Sequence, residues 1–185
     1  DSAIDFAIEK LKHQQEFYER GMNYIHKEIA KRVVRNIVEY DLKLVKNGSA
    51  LEILDLEKEI NCDFFLDENS VFDSAQTDKI SFYGFIDRID RLDGITRVID
   101  YKTAKPKKLT VNLGKNKEEK LPELFFNDDY KQALQLSIYK YCIKNVSHIN
   151  PDNIETAIWS FAEVNNGPQK LNFIDIEDSE VEDSI

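Results

Sequence analysis

The sequence predicts an α/β fold, a mixed central β-sheet flanked by helices. Residues 3–46 carry helical periodicity, residues 80–103 form two β-rich runs around Asp93-Gly94, and a helical stretch at 128–144 precedes two more short β-rich runs. A chain of 185 residues fits one domain and buries about 70% of its unfolded surface. With 42% hydrophobic residues, 32% charged, 6 Gly and 4 Pro, collagen-like and Pro/Gly-rich disordered chains are excluded. No apolar run approaches the ~18 residues of a membrane span, and no signal-peptide pattern opens the chain. The 2 cysteines, Cys62 and Cys142, form no CxxC pair, which excludes a disulfide scaffold and a self-contained zinc or iron–sulfur site. The reducing cytoplasm is the expected location, and the two thiols are expected to be free and buried. A start at Asp1, already inside a helical pattern, is expected of a piece of a larger protein.

Residues 3–20 and 23–46 read as two helices separated by Gly21. In the second, Ile25, Ile29, Val33, Ile37 and Tyr40 recur every three or four residues and predict one buried stripe. Asn47-Gly48 supplies its C-cap. Leu51–Phe65 predicts a strand, and the polar stretch Asp67–Asp78 a loop. Ser81–Leu92 and Ile95–Thr103 flank Asp93-Gly94, and Asp-Gly between two such runs signals a hairpin with a type I′ turn. Pro106–Leu121 is a lysine-rich connection. Asp128–Lys144 predicts a helix with Tyr130, Leu134, Ile138 and Tyr141 on its inner face. Ile154–Val164 and Leu171–Ile176 predict two strands joined through Asn165-Asn166-Gly167-Pro168. The organisation is thus an N-terminal helical segment (1–50), a core (51–176) and an acidic tail (177–185).

The net charge of −10 argues against coating nucleic acid by bulk charge, but the charge is uneven. Residues 174–185 hold six acids and no base, whereas residues 102–120 hold seven lysines and two acids. That lysine-rich segment reads either as a solvated loop or as a contact for a phosphate backbone, through Lys105, Lys107 and Lys108 among others.

A two-residue turn at Asp93-Gly94 fixes the hairpin register. It places Asp90 opposite Arg97, an ion pair, and Asp87 directly opposite Asp100. Alternation then puts Phe85, Asp87, Ile89, Val98, Asp100 and Lys102 on one face. Two facing carboxylates repel by up to about 1 kcal/mol. Either this face is simply solvated, or the carboxylates gather a hard cation such as Mg²⁺ or Mn²⁺, with Lys102 able to orient the attacking water or neutralise a phosphoryl transition state. Asp87, Asp90 and Asp93 have the wrong spacing for an EF-hand loop.

The strings Gly84-Phe85-Ile86-Asp87-Arg88-Ile89-Asp90 and Val98-Ile99-Asp100-Tyr101-Lys102-Thr103, followed by Gln135 and Tyr139 on one helix face, resemble the PD-(D/E)XK nuclease superfamily. The match is similar to the RecB-like branch with its AddB-type nuclease domains, and spans residues 84–139. The resemblance implies a restriction-endonuclease-like core. It also implies Asp87 and Asp100 as metal ligands with the Tyr101 carbonyl, Lys102 as the catalytic lysine, and Gln135 and Tyr139 as groups that position the DNA backbone or that lysine. The branch carries an upstream histidine in a Gly-x-x-x-His pattern that Gly21 and His26 do not reproduce. His26 therefore reads as a surface residue, and the histidine helix is expected upstream. Glu57 stands where relatives carry a glutamate. Two cysteines cannot supply the four-cysteine iron–sulfur cluster of some relatives.

The implied function is that of an Mg²⁺- or Mn²⁺-dependent deoxyribonuclease domain, partnered with DNA and with a helicase or helicase-like protein that processes DNA ends for recombinational repair. The alternative is a scaffolding module that keeps the fold without catalysis.

Overall fold

The computed structural model describes residues 2–10, 15–65, 79–112, 123–147 and 153–174. Its elements are α1 (Ser2–Lys10), α2 (Gly21–Lys46), β1 (Leu51–Phe65), β2 (Lys79–Leu92), β3 (Ile95–Lys102), β4 (Thr110–Asn112), α3 (123–126), α4 (Lys131–Ser147), β5 (Ile154–Ser160), β6 (Gln169–Lys170) and β7 (Asn172–Ile174). A five-stranded sheet runs in the order β1-β2-β3-β5-β6, and β4 and β7 pair separately. The β3–β5 pair is parallel and the other neighbours in the large sheet are antiparallel, so the sheet is mixed, as predicted. The parallel pair needs a long crossover, and α4 lies within it.

The hairpin forms in the predicted register. Asp93 and Gly94 both have positive φ (51° and 90°), as a type I′ turn demands, and Leu92 pairs with Ile95 and Asp90 with Arg97. The turn is also pinned to β1, because the Ala50 amide donates to Asp93 Oδ1 at 2.8 Å and the Asp93 amide to the Ala50 carbonyl at 2.9 Å. α2 ends at Asn47-Gly48 in a Schellman cap, with Gly48 N–H on the Val45 carbonyl and Ser49 N–H on that of Leu44.

Several elements depart from the sequence reading. The first helix stops at Lys10, and Gln15–Tyr18 is a 3₁₀ turn. On α2 only Val33 of the predicted stripe is fully buried, with Ile37 and Tyr40 half-buried, while Ile25 and Ile29 are about half exposed. At 26 residues, roughly 39 Å, α2 outreaches the 8-residue β3 and 7-residue β5, and its N-terminal half borders an open groove, in which His26 and Ile29 face Tyr101 and Thr103, instead of a sealed core. On α4 the buried residues are Ala133, Leu136, Cys142 and Ile143; Tyr141 is exposed and Leu134 half-buried. Cys142 and Ile143 enter the core against the large sheet with Ile138 packed against it, whereas Ala133 packs with Val111 of β4 and Leu124. The strand predicted to reach Val164 ends at Ser160 and gives way to a 3₁₀ turn, Phe161–Asn166. Within the described residues the last predicted strand is β7, preceded by an unpredicted two-residue strand, β6, and β4 arises inside the lysine-rich connection. The Asp67–Asp78 loop and the acidic tail lie outside the described residues.

Two cores sandwich the sheet. Under α4 lie Ile60, Cys62, Ile86, Ile89, Val98, Cys142, Ile143 and Ile154. Both cysteines are free and buried in this cluster, where burial and the neighbouring Cys62 thiol push the Cys142 thiol up to about 12. Under α2 lie Val33, Ile99, Trp159 and Val164, and Tyr40 meets Trp159 edge-on at 5.2 Å.

Gly167 follows the 3₁₀ turn at φ 72°, ψ −171°, a region that is essentially glycine-only. A Cβ there would run into the Tyr40 ring. Gly167→Ala is therefore expected to lower stability by about 1–3 kcal/mol through overpacking alone, with backbone strain in addition. Urea unfolding checks this, and an unchanged midpoint would refute the close approach.

Candidate active site

β2 does not keep strict alternation through the site. Ile86 and Ile89 both join the cluster under α4, yet Arg88 lies on the opposite face, where its guanidinium reaches Asp41 of α2 at 2.7 Å. The alternation breaks at Asp87. The β2–β3 ladder ends there too, with Arg88↔Ile99 as its last pair. Across the strand, Glu57 stands between the Leu56↔Arg88 and Lys58↔Ile86 pairs with φ 53°. The register is the same on both sides of Glu57, so no residue is inserted there; this is a local break in the pairing, and the register shift of this strand pair lies between Ile53 and Asp55. The Tyr101 amide, next in line for a ladder bond, instead donates to Asp87 Oδ2 at 2.6 Å. Phe85, expected on the carboxylate face, is displaced from it by this break and is half exposed.

β3 delivers Asp100 and Lys102. Asp100 is nearly fully buried, and Lys102 Nζ lies 2.7 Å from its Oδ2. That contact is an ion pair of poor hydrogen-bond geometry, and Oδ2 makes no better bond among the described residues. Gln135 Nε2 donates to Asp100 Oδ1 at 3.0 Å and lies 2.8 Å from the Tyr139 hydroxyl. That hydroxyl donates in turn to the Phe85 carbonyl at 3.0 Å. The i, i+4 spacing thus clamps α4 to β3 through Gln135 and to β2 through Tyr139. Burial pushes the Tyr139 phenol up, which keeps its proton available for the bond to Phe85. Burial likewise pushes the Asp100 carboxyl above the usual carboxylate range; Asp87 adds to the rise, and Lys102 and Gln135 offset it only in part.

The three lysines proposed for DNA contact follow β3 in the chain and are held in local ion pairs. Lys105 pairs with Glu163 at 2.7 Å, and Lys107 and Lys108 share Asp129 at 3.5 and 3.1 Å. All three are exposed, so their acids can be exchanged for phosphates at little cost. His26 is exposed on α2, beside Tyr101 and Thr103 on the other face of the sheet. Among the described residues no group of three or more His, Cys, Asp or Glu gathers in metal-binding geometry.

A model of the PD-(D/E)XK nuclease superfamily matches residues 2–184. The chain belongs to that superfamily. No curated protein and no solved structure matches it. Within this PD-(D/E)XK chain, the sequence strings that carried the resemblance converge on one place: Asp87, Asp100, Lys102, Gln135 and Tyr139 lie within one connected set of contacts.

The sequence reading placed Asp90 against Arg97 but missed the rest of the support behind this site. Arg88 Nε donates to Asp90 Oδ2 at 2.6 Å, and Arg97 grips Asp90 through Nε at 2.6 Å and a terminal nitrogen at 2.9 Å. With Asp41, two cations and two anions form a buried network that bolts α2 to the hairpin, and Arg88 also lies 5.7 Å over the Trp159 ring. Burial opposes the charge on Arg88, but Asp41 and Asp90 outweigh it and raise its pKa. One signal was available: Arg88 stands between two aspartates, Asp87 and Asp90.

Proposed function

We propose that the chain is a metal-dependent DNA nuclease domain that hydrolyses phosphodiester bonds, with Mg²⁺ or Mn²⁺ as cofactor. The carrying observation is a pair of carboxylates at the end of the β2–β3 ladder with an ammonium 2.7 Å from one of them. The donor set fits a hard divalent ion. The described hydrogen bonds hold one oxygen of each carboxylate, Asp87 Oδ2 and Asp100 Oδ1, while buried Asp100 Oδ2 lacks a good hydrogen bond. Such ions take one or two protein carboxylates and complete their shells with water and substrate phosphate. Asp87 and Asp100 would hold it, with the Tyr101 carbonyl as a further ligand, and when bound it would acidify water and offset phosphate charge. Lys102 orients the attacking water and neutralises charge growing on the phosphoryl oxygens. Gln135 fixes the Asp100 carboxylate, and the Tyr139 hydroxyl, itself anchored on the Phe85 carbonyl, accepts from Gln135 and holds it in place. Lys105, Lys107 and Lys108 meet the DNA backbone.

In the same reading, the resemblance to RecB-like and AddB-type domains makes this a cytoplasmic module of a helicase–nuclease-type protein that processes DNA ends for recombinational repair. No helix among the described residues is long and apolar enough to cross a membrane.

The test is Mn²⁺ calorimetry together with cleavage of linear DNA. Lys102→Ala is expected to retain Mn²⁺ binding and to lose roughly 10²–10³-fold in cleavage rate. DNA retention by a wild-type chain that binds no metal and cleaves nothing would favour the scaffolding module, in which Lys102 serves as the standing counter-ion of Asp100.

A further inference from the structure

Beside the carboxylates, α4 and the outer part of β2 enclose an apolar slot of about 240 Å³. Its walls are Ile60, Phe82, Gly84, Leu134 and Ile138, and exposed Lys131 stands at its edge. The slot is continuous with the site, because Gln135 and Tyr139 also line it. Gly84 keeps one wall open, since a Cβ there would meet nothing within 4 Å. Leu134 and Ile138 are the residues of the expected inner face of α4 that remain half-buried; both form a wall of this slot, and Ile138 also packs against the core cluster beneath it.

Size and chemistry restrict the occupant. An aliphatic cavity of about 150 Å³ takes up benzene. A slot of about 240 Å³ therefore has room for one heteroaromatic ring system and not for a base pair. Its walls offer flat apolar contact, the slot opens toward the carboxylates, and a lysine waits for an anion. We propose that this slot receives an unpaired nucleobase of the substrate strand, adjacent to the phosphate held at Asp87, Asp100 and Lys102; this rests on the nuclease reading above. Lys131 meets a phosphate of the same strand. Contact with a base face is tolerant of sequence, because every base presents one. A base enters only after leaving its duplex stack, so the slot favours single-stranded or frayed DNA over intact duplex.

Two variants fill the slot without touching the carboxylates, Gly84→Val and Leu134→Phe. Binding is read without metal, as the fluorescence change of a single-stranded oligonucleotide carrying 2-aminopurine. Cleavage is read with Mn²⁺ on the same oligonucleotide and on bis(p-nitrophenyl) phosphate, an ester that carries no base. The expected result is a loss of roughly tenfold or more in oligonucleotide binding and cleavage, with hydrolysis of the base-free ester and the melting temperature unchanged. Oligonucleotide binding that persists at wild-type strength in a folded variant overturns the slot. If Gly84→Val melts early, Leu134→Phe decides. A wild-type chain that hydrolyses neither substrate refutes the nuclease reading alone, because the metal-free binding comparison still judges the slot. Absence of any 2-aminopurine signal with the wild-type chain overturns it.

Discussion

Arg88→Met is expected to destabilise the chain by about 3–5 kcal/mol, because it removes one partner of a buried ion network and leaves Asp41 uncompensated. Arg88 is almost wholly buried, donates to Asp41 and Asp90, and covers the Trp159 ring. Methionine preserves much of the volume, so the loss reports charge rather than a cavity. Asp90 would still be held by Arg97, but Asp41, whose side chain is only 18% exposed, would lose its described partner. Replacing both Arg88 and Asp41, by Met and Leu, should therefore recover a substantial part of the loss. A urea double-mutant cycle measures this. A single variant that unfolds at the wild-type midpoint would show that α2 is docked by its apolar contacts alone.

Asp100→Asn is expected to abolish cleavage, by roughly 10³-fold or more, while raising stability at neutral pH. The two effects share a cause. Burial and neighbouring Asp87 raise the folded-state pKa of Asp100, so its ionised form is tolerated less well in the folded chain than in the unfolded one. Below the unfolded carboxylate range, about pH 4, the group is protonated in both states and costs nothing. As pH rises through the raised folded value, the wild type loses stability that the uncharged asparagine keeps. Asparagine can still accept from Gln135, and the lost Lys102 pair is already counted in the net upward shift. Melting curves should thus coincide near pH 3 and separate by pH 7, with the variant higher. Added Mn²⁺ should raise the wild-type curve and leave the variant where it was. A variant that melts below the wild type at pH 7 without metal would mean that the Lys102 pair outweighs the burial of Asp100.

Much of the hairpin was legible in the sequence because its determinants are local. Asp93-Gly94 specifies a turn, the turn specifies the register, and the register pairs Asp90 with Arg97. The carboxylates, Lys102, Gln135 and Tyr139 were legible as residue types at chemically meaningful spacings. The break at Asp87 was not. It depends on β1, where Glu57 adopts positive φ, and on Tyr101 giving its amide to a side chain instead of a strand. The extent of the buried stripe on α2 and the buried face of α4 also escaped, because periodicity identifies an apolar stripe but not how far the surface beneath it extends. The sequence by itself determined the mixed sheet, the turn and the chemistry of the catalytic candidates. Only the tertiary structure decided that Gln135 holds Asp100, that Asp41 answers Arg88 across 47 positions, and that a slot opens beside the carboxylates. Those are contacts between elements distant in the chain, and their energies depend on burial and distance, which no local pattern encodes.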